Sequence, residues 1–388
     1  MVNFVWKQIQ KFNTRDPAQD EEKDIFAEGS VSTKALLLDK GVLERFYDKR
    51  IHTTAHEYWR VQEFVEGFSD DLLEDFTSVC DRKADIAVQD CIGVGSVYEF
   101  WRTSKPLTCD LMVPFAPPKP YQFSAQLCGG TPAEHCWGRI KIERASENNS
   151  CLCGMANLGD DMVCLLHGQN EVAKISDALE DLLCSKHTPY LSKDRVIKWF
   201  QNGITKAWEK ISHKYEFELT FRNLVSLKVR FRSGMTIIFN ITPVIRFQDS
   251  NAYFVPQFTS NGDNSADTHW LLSFAVYEKH LLKSLAKSLP ENPCHIRCLQ
   301  IVSFLHKKQT DLTGRSPLSN YHLKTALLHL LLDKRPSEWS SDHLEQRVCD
   351  ILEFIWKSLH KRELWHVLIG NSQVPKEIAL LWIFADLL

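Results

Sequence analysis

Two short stretches of this chain hold residue types that could do chemistry on phosphates. In the first, Gly95-Ser96 is separated by eleven residues from Thr108-Cys109-Asp110-Leu111. A Gly-Ser turn offers backbone N–H groups and a hydroxyl to phosphate oxygens, and it serves equally as a tight turn that starts a strand. Alternate residues of a strand face the same side, so Thr108 and Asp110 share a face. The second stretch alternates Lys228, Arg230 and Arg232. Such a stripe is either a solvated strand face or an anion site for a nucleotide, an inositol phosphate or a phosphorylated partner.

Cysteine and histidine are plentiful but poorly spaced for a metal. Cys294 and Cys298 stand at i and i+4 beside His295. A structural zinc site takes four ligands, usually from short-spaced pairs, and no second pair accompanies this one. Cys128, Cys136, Cys151, Cys153 and Cys164 are scattered. The twelve cysteines therefore read mainly as reduced, buried, small apolar residues, and the compartment as a reducing one. His322 and His329 lie on the core side of a helical pattern. No metal and no cofactor is expected.

The net charge of -3, without a basic excess or an acidic tail, gives no reason to expect a nucleic-acid partner. No run approaches the roughly 18–20 apolar residues that cross a bilayer. The N-terminus lacks the apolar core of a signal peptide, and the apolar stretch 378–388 is short and holds Asp386. The chain is thus expected to be cytoplasmic or membrane-associated without inserting itself.

These residues need elements to position them. Val61, Phe64, Val65, Phe68, Leu72, Leu73, Phe76 and Val79 recur at helical spacing, which predicts one long amphipathic helix, or two broken near Gly67. Strand-like runs follow at 109–115, 121–127, 136–142 and 162–166, with Pro114, Pro117, Pro118 and Pro120 ending the first. Helical patterns occupy 172–183 and 194–211. Strands return at 216–221, 225–231 and 235–245, with Arg232-Ser233-Gly234 as a hairpin turn, and then at 253–258 and 270–274. Beyond residue 276 four helical stretches are punctuated by Pro290, Pro293, Pro317 and Pro336.

Several motifs in order carry a family resemblance. They are Leu227-Lys228-Val229-Arg230-Phe231-Arg232-Ser233-Gly234, Cys294-His295-Ile296-Arg297-Cys298-Leu299-Gln300-Ile301, Tyr321-His322-Leu323-Lys324-Thr325-Ala326-Leu327, Ser337-Glu338-Trp339 and Leu368-Ile369-Gly370-Asn371. Together they resemble the Mab-21 group of nucleotidyltransferase-fold proteins, in its inositol trisphosphate receptor-interacting protein-like branch, over about residues 50–371. The resemblance implies an α+β, bilobed nucleotidyltransferase-like fold. A mixed sheet lobe with a long N-terminal helix would precede an all-helical, HhH/H2TH-like lobe. The expected division is a flexible lead-in over 1–50, the nucleotidyltransferase-like domain over 51–289, the helical domain over 290–371 and a tail over 372–388.

In catalytic relatives such as cyclic GMP-AMP synthase, two carboxylates one residue apart and a third on a neighbouring strand hold paired magnesium ions. The matching positions here are Thr108, Asp110 and Asn240, so one charge remains of three. The resemblance therefore implies a pseudoenzyme with vestigial site positions Gly95, Ser96, Thr108, Asp110 and Asn240. Efficient transfer would return only if another carboxylate, Glu99 or Asp249, pointed into the same site. Tyr321 matches an aromatic that stacks on a base, with Lys324 one helical turn on, and the plain helical spacing of Tyr321, Lys324 and Leu328 suits core or cleft-wall packing of the tyrosine equally well. The zinc-binding insertion of the DNA-sensing relative has no room between Lys283 and Cys294, so DNA is not an expected partner. What remains is a signalling protein that binds the inositol trisphosphate receptor or another membrane receptor and modulates calcium release. The alternative is a module that senses a nucleotide or an inositol phosphate through Lys228, Arg230, Arg232, Tyr321 and Lys324. Family members carry a membrane segment, from which this chain departs.

Overall fold

The computed structural model describes residues 40–51, 55–79, 85–103, 106–128, 137–144, 177–186, 188–221, 226–257, 267–314, 316 and 318–369. The expected strand at 162–166, the polar lead-in at 13–35 and the tail at 372–388 lie outside the described residues. Two compact units divide the chain. One holds residues 56–99 and 105–279; the other holds 100–104, 280 onward and the segment preceding residue 56. The fold is α+β.

The first unit begins with α2 (Ala55–Val79), preceded in the chain by α1 (Lys40–Arg50) of the second unit. Among the described residues its ten strands are β1 (Ala87–Val88), β2 (Ile92–Val94), β3 (Leu107–Ala116), β4 (Tyr121–Leu127), β5 (Trp137–Arg144), β6 (Phe217–Phe221), β7 (Ser226–Phe231), β8 (Thr236–Arg246), β9 (Tyr253–Val255) and β10 (Trp270–Ser273). Helix α3 (Lys193–Ile211) lies between β5 and β6 in the chain. The strands form one sheet of order β1-β3-β8-β9-β10-β5-β4, with β2 also on β3 and a β6-β7 ladder also on β8. At its centre β3 and β8 run parallel, Leu107 beside Ile237 through Pro114 beside Val244.

One face of the sheet is apolar because Cys109, Leu111, Val113, Leu227, Val229, Ile237, Phe239 and Ile241 alternate inward along their strands. Phe68 of α2 packs edge-on against Phe217 and Phe239, and Phe64 against Phe231. Such pairs add about 0.5–1.5 kcal/mol each beyond the area they bury. Helix α3 is started by the Ser192 hydroxyl, which accepts from the Arg195 N–H at 3.2 Å. Where α3 crosses α2, Gly203 permits close approach: a Cβ there would lie 2.2 Å from the Phe76 ring.

Of two local expectations, one is decided between its alternatives and the other is revised. Helix α2 runs unbroken through Gly67, which faces open space while Val65 and Phe68 on either side are buried. That packing outweighs a glycine cost of about 1 kcal/mol. Pro114 does not end its strand, since β3 continues to Ala116. Its carbonyl accepts from Gln89 N–H at 2.8 Å, so the missing N–H points to the edge between β1 and β2, away from the β8 ladder.

The second unit consists of α1, most of α4 (Ala275–Ala286), α5 (His295–Thr313), α6 (Asn320–Asp333), a 3-10 turn at Pro336–Trp339 and α7 (Leu344–Lys361). Helix α1 falls in the stretch whose sequence pattern suggests a lead-in. Its Val42, Leu43, Phe46 and Tyr47 are buried, with the Tyr47 hydroxyl donating to Gln300 Oε1 at 2.7 Å and Phe46 edge-on to Phe304. Arg347 of α7 is buried against the Trp339 ring, with Asp350 at 3.0 Å and Glu338 at 3.8 Å. No helix among the described residues is long and apolar enough to cross a membrane.

Candidate functional site

Strand registry brings three of the expected positions, Thr108, Asp110 and Asn240, together on the face of the sheet opposite the one that α2 covers. Asp110 pairs with Asn240 across the parallel β3-β8 ladder, and Val94 at the end of β2 pairs with Asp110 from the other side. Ser226 of β7 stands opposite Asn240 in turn. Paired residues share a face, so Val94, Asp110, Asn240 and Ser226 form one row across four strands. The next row is Thr108, Ile238, Lys228 and Thr220. Val94 of the first row joins Met112, Val244, Tyr253 and Val276 in an apolar cluster.

Within the first row the Asn240 amide donates from Nδ2 to Asp110 Oδ1 at 2.7 Å. The other carboxylate oxygen faces Gly95. That residue has φ +79°, in the left-handed region, and a Cβ on it would lie 3.1 Å from Asp110 Oδ2. The expected turn is therefore real and tight: Glu99 N–H closes it onto the Gly95 carbonyl at 3.0 Å, and Ser96 is buried within it. Glu99 is buried in the same turn, and Asp249 lies in the turn that follows β8. Among the described residues, no three His, Cys, Asp or Glu side chains gather as a metal site requires.

The basic stripe has the expected alternation, but it faces acids. Glu218 of β6 lies directly opposite Arg230, and Glu216 reaches Arg232 at 3.5 Å. Lys228 differs, since Thr220 stands opposite it and it is half-buried beside the Asp110 row. Tyr321 and Lys324 belong to α6 in the second unit. Tyr321 is exposed and Lys324 is buried.

Several residues around the turn escaped the sequence reading. Lys279 donates to the Gly93 carbonyl at 2.7 Å, on the side of β2 turned away from β3. Gly93 has the Tyr98 ring where a Cβ would be, at 2.1 Å. The Tyr98 hydroxyl is buried without a hydrogen-bond partner, and burial, followed by neighbouring Cys109, pushes its pKa up. Burial also raises the Cys91 thiol to about 12, with Asp70 and Glu66 adding to it. On α2, Glu66 and Asp70 are each raised by burial first; Asp70 adds to the shift of Glu66 and Lys279 opposes it. The one legible signal was the Gly-x-Gly spacing of Gly93 and Gly95.

Cys294 and Cys298, both fully buried, flank the start of α5. Cys136, Cys151, Cys153 and Cys164 lie outside the described residues. His322 caps α6 by accepting from Ser319 N–H at 3.0 Å, and His329 stacks on Phe354.

The Mab-21 protein HhH/H2TH-like domain matches residues 294–372, the helical unit from the α5 cap onward. An inositol 1,4,5-trisphosphate receptor-interacting protein of Takifugu rubripes is 52% identical, over 92% of this chain and 68% of that protein. The protein of the same description from Homo sapiens is 46% identical, over 97% of this chain and 71% of its own length. Inositol 1,4,5-trisphosphate receptor-interacting protein-like 1 of Rattus norvegicus is 31% identical, over 95% of this chain and 68% of its length.

Proposed function

This chain belongs to the family of inositol 1,4,5-trisphosphate receptor-interacting proteins, and from that premise we propose that it works by holding a protein partner and not by catalysis. The partner is an inositol 1,4,5-trisphosphate receptor or another membrane receptor, and the consequence of binding is altered calcium release. The names of the relatives support the partner.

The single observation that carries the non-catalytic half is the hydrogen bond from Asn240 Nδ2 to Asp110 Oδ1. Nucleotidyl transfer on this fold asks carboxylates to hold a pair of divalent cations against a triphosphate. Here an N–H occupies the lone pair that a cation would take, and Thr108 adds a neutral hydroxyl at the alternate position. The donor set does not fit two magnesium ions. A phosphate brought to the Gly95 turn would also meet the Asp110 carboxylate with no cation between them, and like charges at that range repel.

Two assays test the two halves. Immobilised, detergent-solubilised receptor titrated with this chain should bind it saturably; absence of binding would sink the partner assignment. Incubation with ATP, GTP and Mg²⁺ should yield no nucleotidyl product above the protein-free control. A product that disappears in Asp110→Asn would overturn the non-catalytic reading.

Lys228 favours a second reading. It is a cation without an opposed acid on the face that holds Asp110, which suits binding of an inositol phosphate without metal.

A further inference from the structure

The sheet has an open edge at β6. Among the described residues, no strand lies beyond it, since β6 pairs with β7 alone. Which backbone groups are open follows from the hairpin. Phe231 N–H donates to Met235 O at 2.9 Å and the Phe231 carbonyl accepts from Gly234 N–H at 2.9 Å, so Phe231 points its backbone toward β8. Alternation then turns Arg230 and Lys228 toward β6, where they meet Glu218 and Thr220. Phe217, Leu219 and Phe221 are left with N–H and C=O groups directed outward, without partners among the described residues. A free edge of this kind is a template for another strand.

We propose that β6 is a self-association edge, through which two copies of this chain pair antiparallel about Leu219 and join their sheets. The sequence of β6, Phe217-Glu218-Leu219-Thr220-Phe221, is self-complementary in that register. Leu219 faces Leu219 of the second copy, and Phe217 faces Phe221, in the hydrogen-bonding parity that the outward groups require. Glu218 falls opposite Thr220, so the strand's one charge meets a hydroxyl and not its own copy. A two-fold axis perpendicular to the sheet keeps like faces together, which aligns Phe217, Leu219 and Phe221 of both copies on the helix-covered side. Five residues make a short ladder, so the association is concentration-dependent.

Sedimentation of the full chain over a range of concentrations tests this, together with amide exchange at both ends of that range. The mass is expected to rise toward twice the monomer, and the amides of Phe217, Leu219 and Phe221 to slow as it does. Leu219→Pro removes an outward N–H that the monomer does not use, so it should keep the fold by circular dichroism and remain monomeric. Leu219→Lys, which sets two like charges face to face, should do the same without a proline. A wild-type chain that stays monomeric throughout, or a dimer that persists in both variants with unchanged exchange at these amides, would overturn the proposal.

Discussion

Asn240 brings an amide to a position where an acid would create a different molecule. In Asn240→Asp, a second carboxylate would stand within hydrogen-bonding reach of Asp110, replacing an attraction at 2.7 Å by repulsion. One of the two must then hold a proton well above the usual carboxylate range. A group whose folded pKa is raised contributes stability at low pH and loses it as pH rises through that pKa. The variant should therefore match the wild type near pH 4 and melt lower at pH 8, by about 1–3 kcal/mol of stability. Added Mg²⁺ should recover part of the loss in the variant and leave the wild type unmoved. Thermal melts at both pH values, with and without Mg²⁺, decide it, and equal melting at both would refute the argument. Gly95→Ala offers a second check: it is strained by its φ alone, at a cost of about 1–2 kcal/mol, and it also crowds Asp110 Oδ2. Combining it with Asp110→Ala should remove the crowding and leave the backbone cost.

Elements rest on the packing of few large side chains. Gly203→Ala would drive a methyl into Phe76, which is fully buried between Trp199 and Phe200 and has nowhere to move. Overpacking of this kind costs about 1–3 kcal/mol, read as a lower denaturation midpoint with unchanged denaturant slope. In the helical unit, burial holds His295 at a pKa of about 4 against an ordinary 6.5, and its Nδ1 has no partner. The folded pKa is depressed, so this residue's contribution is intact above about pH 6.5 and is lost as pH falls toward 4, by up to about 3 kcal/mol. His295→Phe should flatten the acid limb of a stability-against-pH curve; a curve of unchanged slope would place the acid sensitivity elsewhere. Much of this layout was legible because period-2 and period-3.6 patterns are strong in α2, α3 and β3–β8. That Thr108 and Asp110 share a face was legible for the same reason, as alternation fixes faces, whereas Asn240 was placed with them only through the family resemblance. What stayed hidden depends on neighbours distant in sequence. Pro114 survives inside β3 because Gln89 takes the carbonyl on that side. Lys279 reaches Gly93, and Glu216 and Glu218 face the basic stripe, through contacts that no local pattern encodes.

At the scale of the whole molecule, the residues expected to handle a ligand are divided between the two units: Asp110, Asn240 and Lys228 in one, Tyr321 and Lys324 in the other. Charge makes a metal-dependent and a metal-free ligand separable by experiment. A triphosphate held through magnesium would need the Asp110 oxygens that Gly95 and the Asn240 amide already approach. An inositol phosphate held by Lys228 would need no cation. A ligand that binds only the native state raises the melting temperature once its concentration passes the dissociation constant. Melting the full chain against ATP, GTP and inositol hexakisphosphate, each with and without Mg²⁺, is expected to give no Mg²⁺-dependent shift with either triphosphate. A shift with the inositol phosphate that Lys228→Ala abolishes, while Arg232→Ala retains it, would make the Asp110 face a sensor, because Arg232 already answers Glu216 and Lys228 faces Thr220. Loss with both variants would instead indicate diffuse attraction to the stripe. A Mg²⁺-dependent triphosphate shift would mean that the amide yields its place to a cation, and the non-catalytic reading would fall with it.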